Sequence, residues 1–261
     1  VGRGHCLRVL DRGVEPVRAA TIAALYVERG GCYYGLADVD PWDRERDARL
    51  YAGPHPVVAH PPCERWGRYW HGSPRKPHQF KMGDDGGCFA AALAAVRRWG
   101  GVLEHPADSH AWRVHDMKAP PRSGGWVAAD FDGGWTCCVE QGHYGHPSRK
   151  ATWLYAIGTD LPSLTWGRAA QRLSPIALAR HGYEKARRSG VMAYFGGKNK
   201  AKLRAATPIP FRDLLLSIAR TARPELAHAT AQGAEQVPGA RFLPVQPAAA
   251  SPERPAAAAD F

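Results

Sequence analysis

Long apolar runs are missing from this 261-residue sequence. The best candidates, Cys88 to Val96 and Leu214 to Ala219, fall far short of the ~20 apolar residues that a membrane-spanning helix needs. No membrane span is expected. A secretory leader is poorly supported: Ala19 to Val27 follows Arg18, but the run is short, Ala-rich and followed by Glu28-Arg29 rather than a small-residue cleavage site. Paired cysteine spacing is also absent. The six cysteines, at 6, 32, 63, 88, 137 and 138, include two neighbours and no regular framework, which fits reduced cytoplasmic thiols better than disulfides. No internal repeat is present, so a solenoid is not expected.

Acid is scarce as well, 24 Asp+Glu against 35 Lys+Arg, a net +11. The excess is local. Between Arg180 and Arg204 eight Lys/Arg face one acid, Glu184, interleaved with Tyr183, Tyr194, Phe195 and Gly196-Gly197. Such a cluster fits a phosphate-backbone surface or a solvated basic helix. What the chain does have is core: 44% hydrophobic and 10% aromatic residues support one sizeable folded unit.

Read for organisation, residues 1–19 look like a flexible Arg/Gly-rich leader. Leu25 to Val27 reads as a strand running into a Gly-rich loop, and Asp38 to Arg49 as a charged helix or loop. Val57 to His60 is a β-branched strand stopped by Pro61-Pro62. Cys88 to Trp99 carries Phe89, Leu93 and Val96 at helical spacing, and Val102-Leu103 is a second buried strand ending at Glu104. Strand, helix and strand with short joints predict a parallel βαβ unit. Trp135 to Val139 and Thr152 to Ile157 are further strands, and Pro210 to Ala219 is an amphipathic helix. The expected fold class is α/β: a reduced Rossmann-like parallel sheet over 20–168, a small basic helical C-terminal appendage over 169–221, and a disordered Ala/Pro-rich tail over 222–261.

Reactive groups in open α/β folds collect at the carboxyl ends of parallel strands. Two such ends are marked here, by Cys63 in His60-Pro61-Pro62-Cys63 and by Glu104 in Leu103-Glu104-His105-Pro106. A thiol and a carboxylate so placed suit attack on an electron-poor ring, the thiolate adding while the acid serves a ring nitrogen. The plain alternative is a buried small hydrophobe and a structural cap.

Three segments in order, Pro61-Pro62-Cys63, Leu103-Glu104-His105-Pro106 and Gly145-His146-Pro147-Ser148-Arg149-Lys150-Ala151-Thr152-Trp153-Leu154, resemble the catalytic half of cytosine-C5 DNA methyltransferases, the compact phage and mobile-element forms above all. The later Thr207-Pro208-Ile209-Pro210-Phe211 resembles the helix that closes many of those chains. The resemblance spans about residues 55 to 220. It implies that Cys63 attacks C6 of a flipped-out pyrimidine, that Glu104 bonds the ring edge at N3, and that Arg149 steadies base and adduct. It also implies DNA as partner and S-adenosylmethionine as methyl donor.

The donor motif departs from the family. In place of its Phe-x-Gly-x-Gly loop and second-strand acid, only Gly30, Gly31 and Gly35 with Asp38 are on offer, about 30 residues before Cys63. The chain is therefore read as a DNA pyrimidine-modifying transferase of this kind. The alternatives are a hypermodification enzyme with another donor and a non-catalytic DNA-binding relative. Arg65, Arg68, Lys150, Arg187, Arg188, Lys198, Lys200 and Lys202 are the expected DNA contacts, the first two among the aromatics Trp66, Tyr69 and Trp70. No metal is expected. The runner-up would be zinc on Cys137, Cys138, His143 and His146, whose spacing matches no common zinc pattern.

Overall fold

The computed structural model of the chain describes residues 21–72, 75, 78–189, 191 and 200–223. The leader 1–19, nearly all of the 222–261 tail, and Lys198 lie outside them. Seven strands form one sheet in the order β2-β1-β3-β4-β7-β6-β5. They are β1 (Ile22–Leu25), β2 (Val39–Trp42), β3 (Val57–Ala59), β4 (Gly101–Pro106), β5 (Val127–Ala128), β6 (Trp135–Glu140) and β7 (Ala151–Ile157). The helices are α1 (Cys88–Trp99), α2 (His110–Val114), α3 (Pro175–Ser189), α4 (Lys200–Ala205) and α5 (Ile209–Arg220).

The expected parallel sheet is only half of the structure. β2, β1, β3 and β4 run parallel, while β7, β6 and β5 add an antiparallel half. The reason is connection length: β3 and β4 are joined through α1, as a parallel pair requires, whereas β6 and β7 are joined by ten residues and fold back on each other. β2 lies in a segment expected to be helix or loop. Its Asp40 and Pro41 hide it as a strand, and it is tolerated because it lies on the sheet edge.

Each face of the sheet carries one main helix. Phe89, Ala92, Leu93 and Val96 of α1 bury against Leu25, Val57, Ala59 and Leu103. Phe211, Leu215, Leu216, Ile218 and Ala219 of α5 bury against Ala24, Val58, Val102, Leu154 and Ala156 on the other face. Alternate residues of β3, β4 and β7 thus serve opposite cores. Helix α5, assigned from the sequence to the appendage, is part of this core, with Phe211 and Leu215 fully buried. The basic segment before it differs: α3 breaks at Gly182 (φ 71°, ψ 173°) and exposes Arg180, Arg187 and Arg188.

Gly101 opens β4 at φ 128°, and a Cβ there would sit 2.0 Å from the Val57 carbonyl oxygen. A side chain at this point pushes β3 and β4 apart beneath Cys63. Gly101→Ala is expected to cost more than about 3 kcal/mol, read as a fall in the urea midpoint.

Candidate active site

The carboxyl ends of β3 and β4 carry His60, Cys63 and Glu104, and the antiparallel half brings Gln141 and Lys150 to the same edge. Even-numbered residues of β3, β4 and β7 face α5, so His60, Glu104 and Thr152 share one side. His60 Nδ1 lies 3.0 Å from Glu104 Oε2, and Tyr33 Oη lies 2.8 Å from His60 Nε2. Gln141 Nε2 donates to Glu104 Oε1 and to Thr152 Oγ1, both at 3.0 Å. The Thr152 hydroxyl donates to the Lys150 carbonyl at 3.1 Å, so its oxygen is free to accept from Gln141. Both amide protons of Gln141 are thereby committed, and Glu104 Oε1 can only be an acceptor.

Glu104 is almost fully buried. Burial alone would raise its pKa, but the hydrogen bond and charge of His60, with the charge of Lys150, bring it down to about 2. The carboxyl is ionised at neutral pH. The Cys63 thiol is pushed up instead, by burial and by the Glu104 charge, with Lys150 opposing. Burial lowers the Lys150 ammonium while Glu104 and Cys63 hold it up. Thiol, carboxylate and ammonium therefore form one electrostatic group. Lys150 Nζ donates to the Ala205 and Ala206 carbonyls, each at 3.1 Å, which leaves one N–H for a ligand.

Of the residues expected at the site, Cys63 and Glu104 come together and Arg149 does not. Its Nε donates to the Ala169 carbonyl at 2.9 Å and lies 3.9 Å from Glu140 Oε2. Neighbouring positions at a strand start point to opposite faces, so Lys150 takes the place beside Cys63. Lys150 was expected only at a DNA backbone. His60, which the sequence offers only as a further ligand for the zinc runner-up, joins the site, as do Gln141 and Tyr33.

Several polar groups of the candidate donor loop are already bound within the fold. Asp38 precedes β2, at the amino end of the sheet and across it from Cys63, and its carboxylate is held by Arg220 of α5 at 2.7 and 2.9 Å. Gly30 and Gly35, with φ of 65° and 78°, are turn residues. A Cβ on Gly31 would meet the Glu28 carbonyl at 2.8 Å, a contact within the loop itself. The Cys32 carbonyl is bound by Arg212 at 2.7 Å, and Tyr33 is buried.

The zinc runner-up is not assembled either. Cys137 and Cys138 belong to opposite cores, as adjacent residues of a strand must. His143 Nε2 lies 3.2 Å from the Gly167 carbonyl, and the Ser148 amide donates to His146 Nδ1 at 3.1 Å. Among the described residues, no group of three or more His, Cys, Asp or Glu is placed to hold a metal.

Of the expected DNA contacts, Arg65 stacks on Phe80 with its guanidinium 3.5 Å from the ring centroid, and Arg68 lies 5.6 Å from that of exposed Tyr69. Arg187 pairs with Glu184, and Arg188 is exposed. Lys200 and Lys202 fall on α4, with side chains outside the described residues. Trp66, by contrast, is core, its indole N–H donating to Asp85 at 2.8 Å. A cavity of about 390 Å³ is lined by Arg122, Cys138, Val139, Glu140, Gly167 and Arg168, and Cys63 is not among its lining residues. Among the described residues, no helix is long and apolar enough to cross a membrane. No family model, curated protein or solved structure matches this chain.

Proposed function

We propose that this chain is an enzyme that modifies pyrimidines in DNA by covalent addition of Cys63 to C6 of an unstacked base, as in the cytosine-C5 DNA methyltransferases it resembles. The observation that carries this is the grouping of Cys63, Glu104 and Lys150 at one sheet edge. A stacked base hides C6 and must be flipped out. The thiolate forms the S–C6 bond, and the C5=C6 electron pair moves into the ring, where Glu104 and Lys150 meet the ring edge and the developing charge. C5 becomes nucleophilic. Exposed Arg68, Tyr69 and Arg188 supply stacking and phosphate contacts. No step is assigned to S-adenosylmethionine, because Asp38, the acid expected to hold it, is already bound by Arg220. That favours the variant in which another donor supplies the group placed on C5.

A test independent of any donor uses an oligonucleotide with one pyrimidin-2-one base, which takes a thiolate at C6 and a solvent proton at C5. Intact-mass measurement is expected to show one oligonucleotide added to the wild type and none to Cys63→Ala. No adduct with the wild type sinks the proposal.

The Lys150 charge lowers the Cys63 pKa, so removing it raises that pKa further. In Lys150→Met, iodoacetamide labelling of Cys63, followed peptide by peptide, is expected to have its pH midpoint displaced upward. An unchanged midpoint contradicts the grouping.

A further inference from the structure

We propose that the base taken by this site is a 4-oxo pyrimidine of the deoxyuridine class rather than cytosine. The inference rests on the reading above, in which Glu104 faces N3 of the ring. The groups that bond or face that carboxylate directly offer it donors and positive charge. From β3 comes His60 Nδ1 at 3.0 Å, backed by Tyr33 Oη at 2.8 Å. From the turn after β6 comes Gln141 Nε2 at 3.0 Å, its second proton already given to Thr152. From the start of β7 comes the Lys150 ammonium. Next to it on β4, His105 is 1% exposed and wedged between Phe89 and Trp112, where burial keeps it neutral. The remaining acid nearby is Glu64, beside Cys63. A carboxylate in that company accepts hydrogen bonds and does not donate them.

The two bases differ at that atom. Uracil-type rings present N3–H, a donor, beside the O4 acceptor; cytosine presents a bare N3 acceptor beside the N4 amino donor. Glu104 as acceptor at N3 and the spare Lys150 N–H at O4 complement the first edge. Against cytosine both contacts are mismatched, donor to donor and acceptor to acceptor. The chemistry agrees. When the Cys63 thiolate adds to C6 of a 4-oxo ring, the electron pair of C5=C6 moves through C4 to O4, and the enolate oxygen meets the Lys150 ammonium. C5 then takes a proton from water; loss of the original C5 hydrogen breaks S–C6 and restores the ring.

That cycle needs no donor and can be read directly. Oligonucleotides with a single deoxyuridine or a single deoxycytidine, single-stranded and duplex, are incubated with the full chain in D₂O, and deuterium at C5 is measured by mass spectrometry. Exchange at deoxyuridine is expected at least about ten-fold faster than at deoxycytidine, the scale of one mismatched buried hydrogen bond. Glu104→Gln, which presents an amide N–H to N3, is expected to shrink or invert the ratio. Equal or faster exchange at deoxycytidine, or none at deoxyuridine, overturns the assignment. The pyrimidin-2-one adduct separates the two failures, because without a C4 substituent the C6 of that base is more electrophilic than in either natural base and takes the thiolate despite its bare N3: an adduct without preference for deoxyuridine leaves Cys63 as nucleophile and removes only the 4-oxo specificity.

Discussion

Cys63→Ala is expected to reduce C5 exchange at deoxyuridine to the rate without enzyme, while the urea midpoint stays within about 0.5 kcal/mol of wild type. Cys63 is exposed just past β3, where Pro61-Pro62 hold the backbone, so the side chain adds little to the core even though the packed sheet edge around its thiol withdraws enough water to raise its pKa. Among the described residues, no other cysteine stands at this edge. Cys137 and Cys138 are buried in β6, and Cys32 and Cys88 lie in the β1–β2 loop and at the start of α1. Cys63→Ser is expected to lose activity as well, because a hydroxyl is far less acidic than a thiol and a far weaker nucleophile near neutral pH. The wild-type thiol, itself pushed up by burial and by Glu104, gives a rate that rises through the neutral and mildly alkaline range. A flat pH profile contradicts thiolate attack.

Glu104→Ala is expected to be the most damaging change at the site, in both stability and activity. It removes the acceptor shared by His60 and Gln141 and leaves the half-buried Lys150 without its counter-charge. Leaving these buried donors without their acceptor costs about 3 kcal/mol or more, and exchange should fall by about 100-fold or more. Glu104→Gln separates the two losses by keeping shape and an acceptor oxygen. The sign of the pH effect follows from the depressed pKa: a carboxyl at 4.5 when unfolded and about 2 when folded contributes stability in full above 4.5 and loses it as pH falls toward 2. Urea midpoints between pH 7 and pH 3 are expected to fall more steeply for wild type than for Glu104→Gln. Parallel curves would mean that Glu104 is not held ionised by its neighbours.

Apolar runs made much of the fold legible. Cys88–Trp99 is a helix at the bounds its spacing gives, and β3, β4, β6 and β7 fall on the runs around Val57, Val102, Cys137 and Leu154. What escaped was β2, whose Asp40 and Pro41 look like a turn, together with the two-residue β5 and the direction of the second half of the sheet. Direction depends on which strands pair, a long-range choice that local periodicity does not contain. The site was legible where proline and strand ends marked it, at Cys63 and Glu104. The exchange of Arg149 for Lys150 was not, because adjacent residues differ by a face and only the register of Gln141 with Lys150 decides which one points at Glu104. His60 carried a signal that was open to reading, two residues beyond Val58 on the α5 side, directly before the prolines. Gln141 carried none, since its partner Thr152 is met only through the β6–β7 hairpin.

The central claim, that Cys63 bonds to C6 of a pyrimidine in DNA, is tested most directly by digesting the pyrimidin-2-one complex and sequencing the cross-linked peptide by mass spectrometry. A single adduct on Cys63, lost in Cys63→Ala and retained in Arg149→Ala, is the expected result. No adduct, or one that persists in Cys63→Ala, contradicts it.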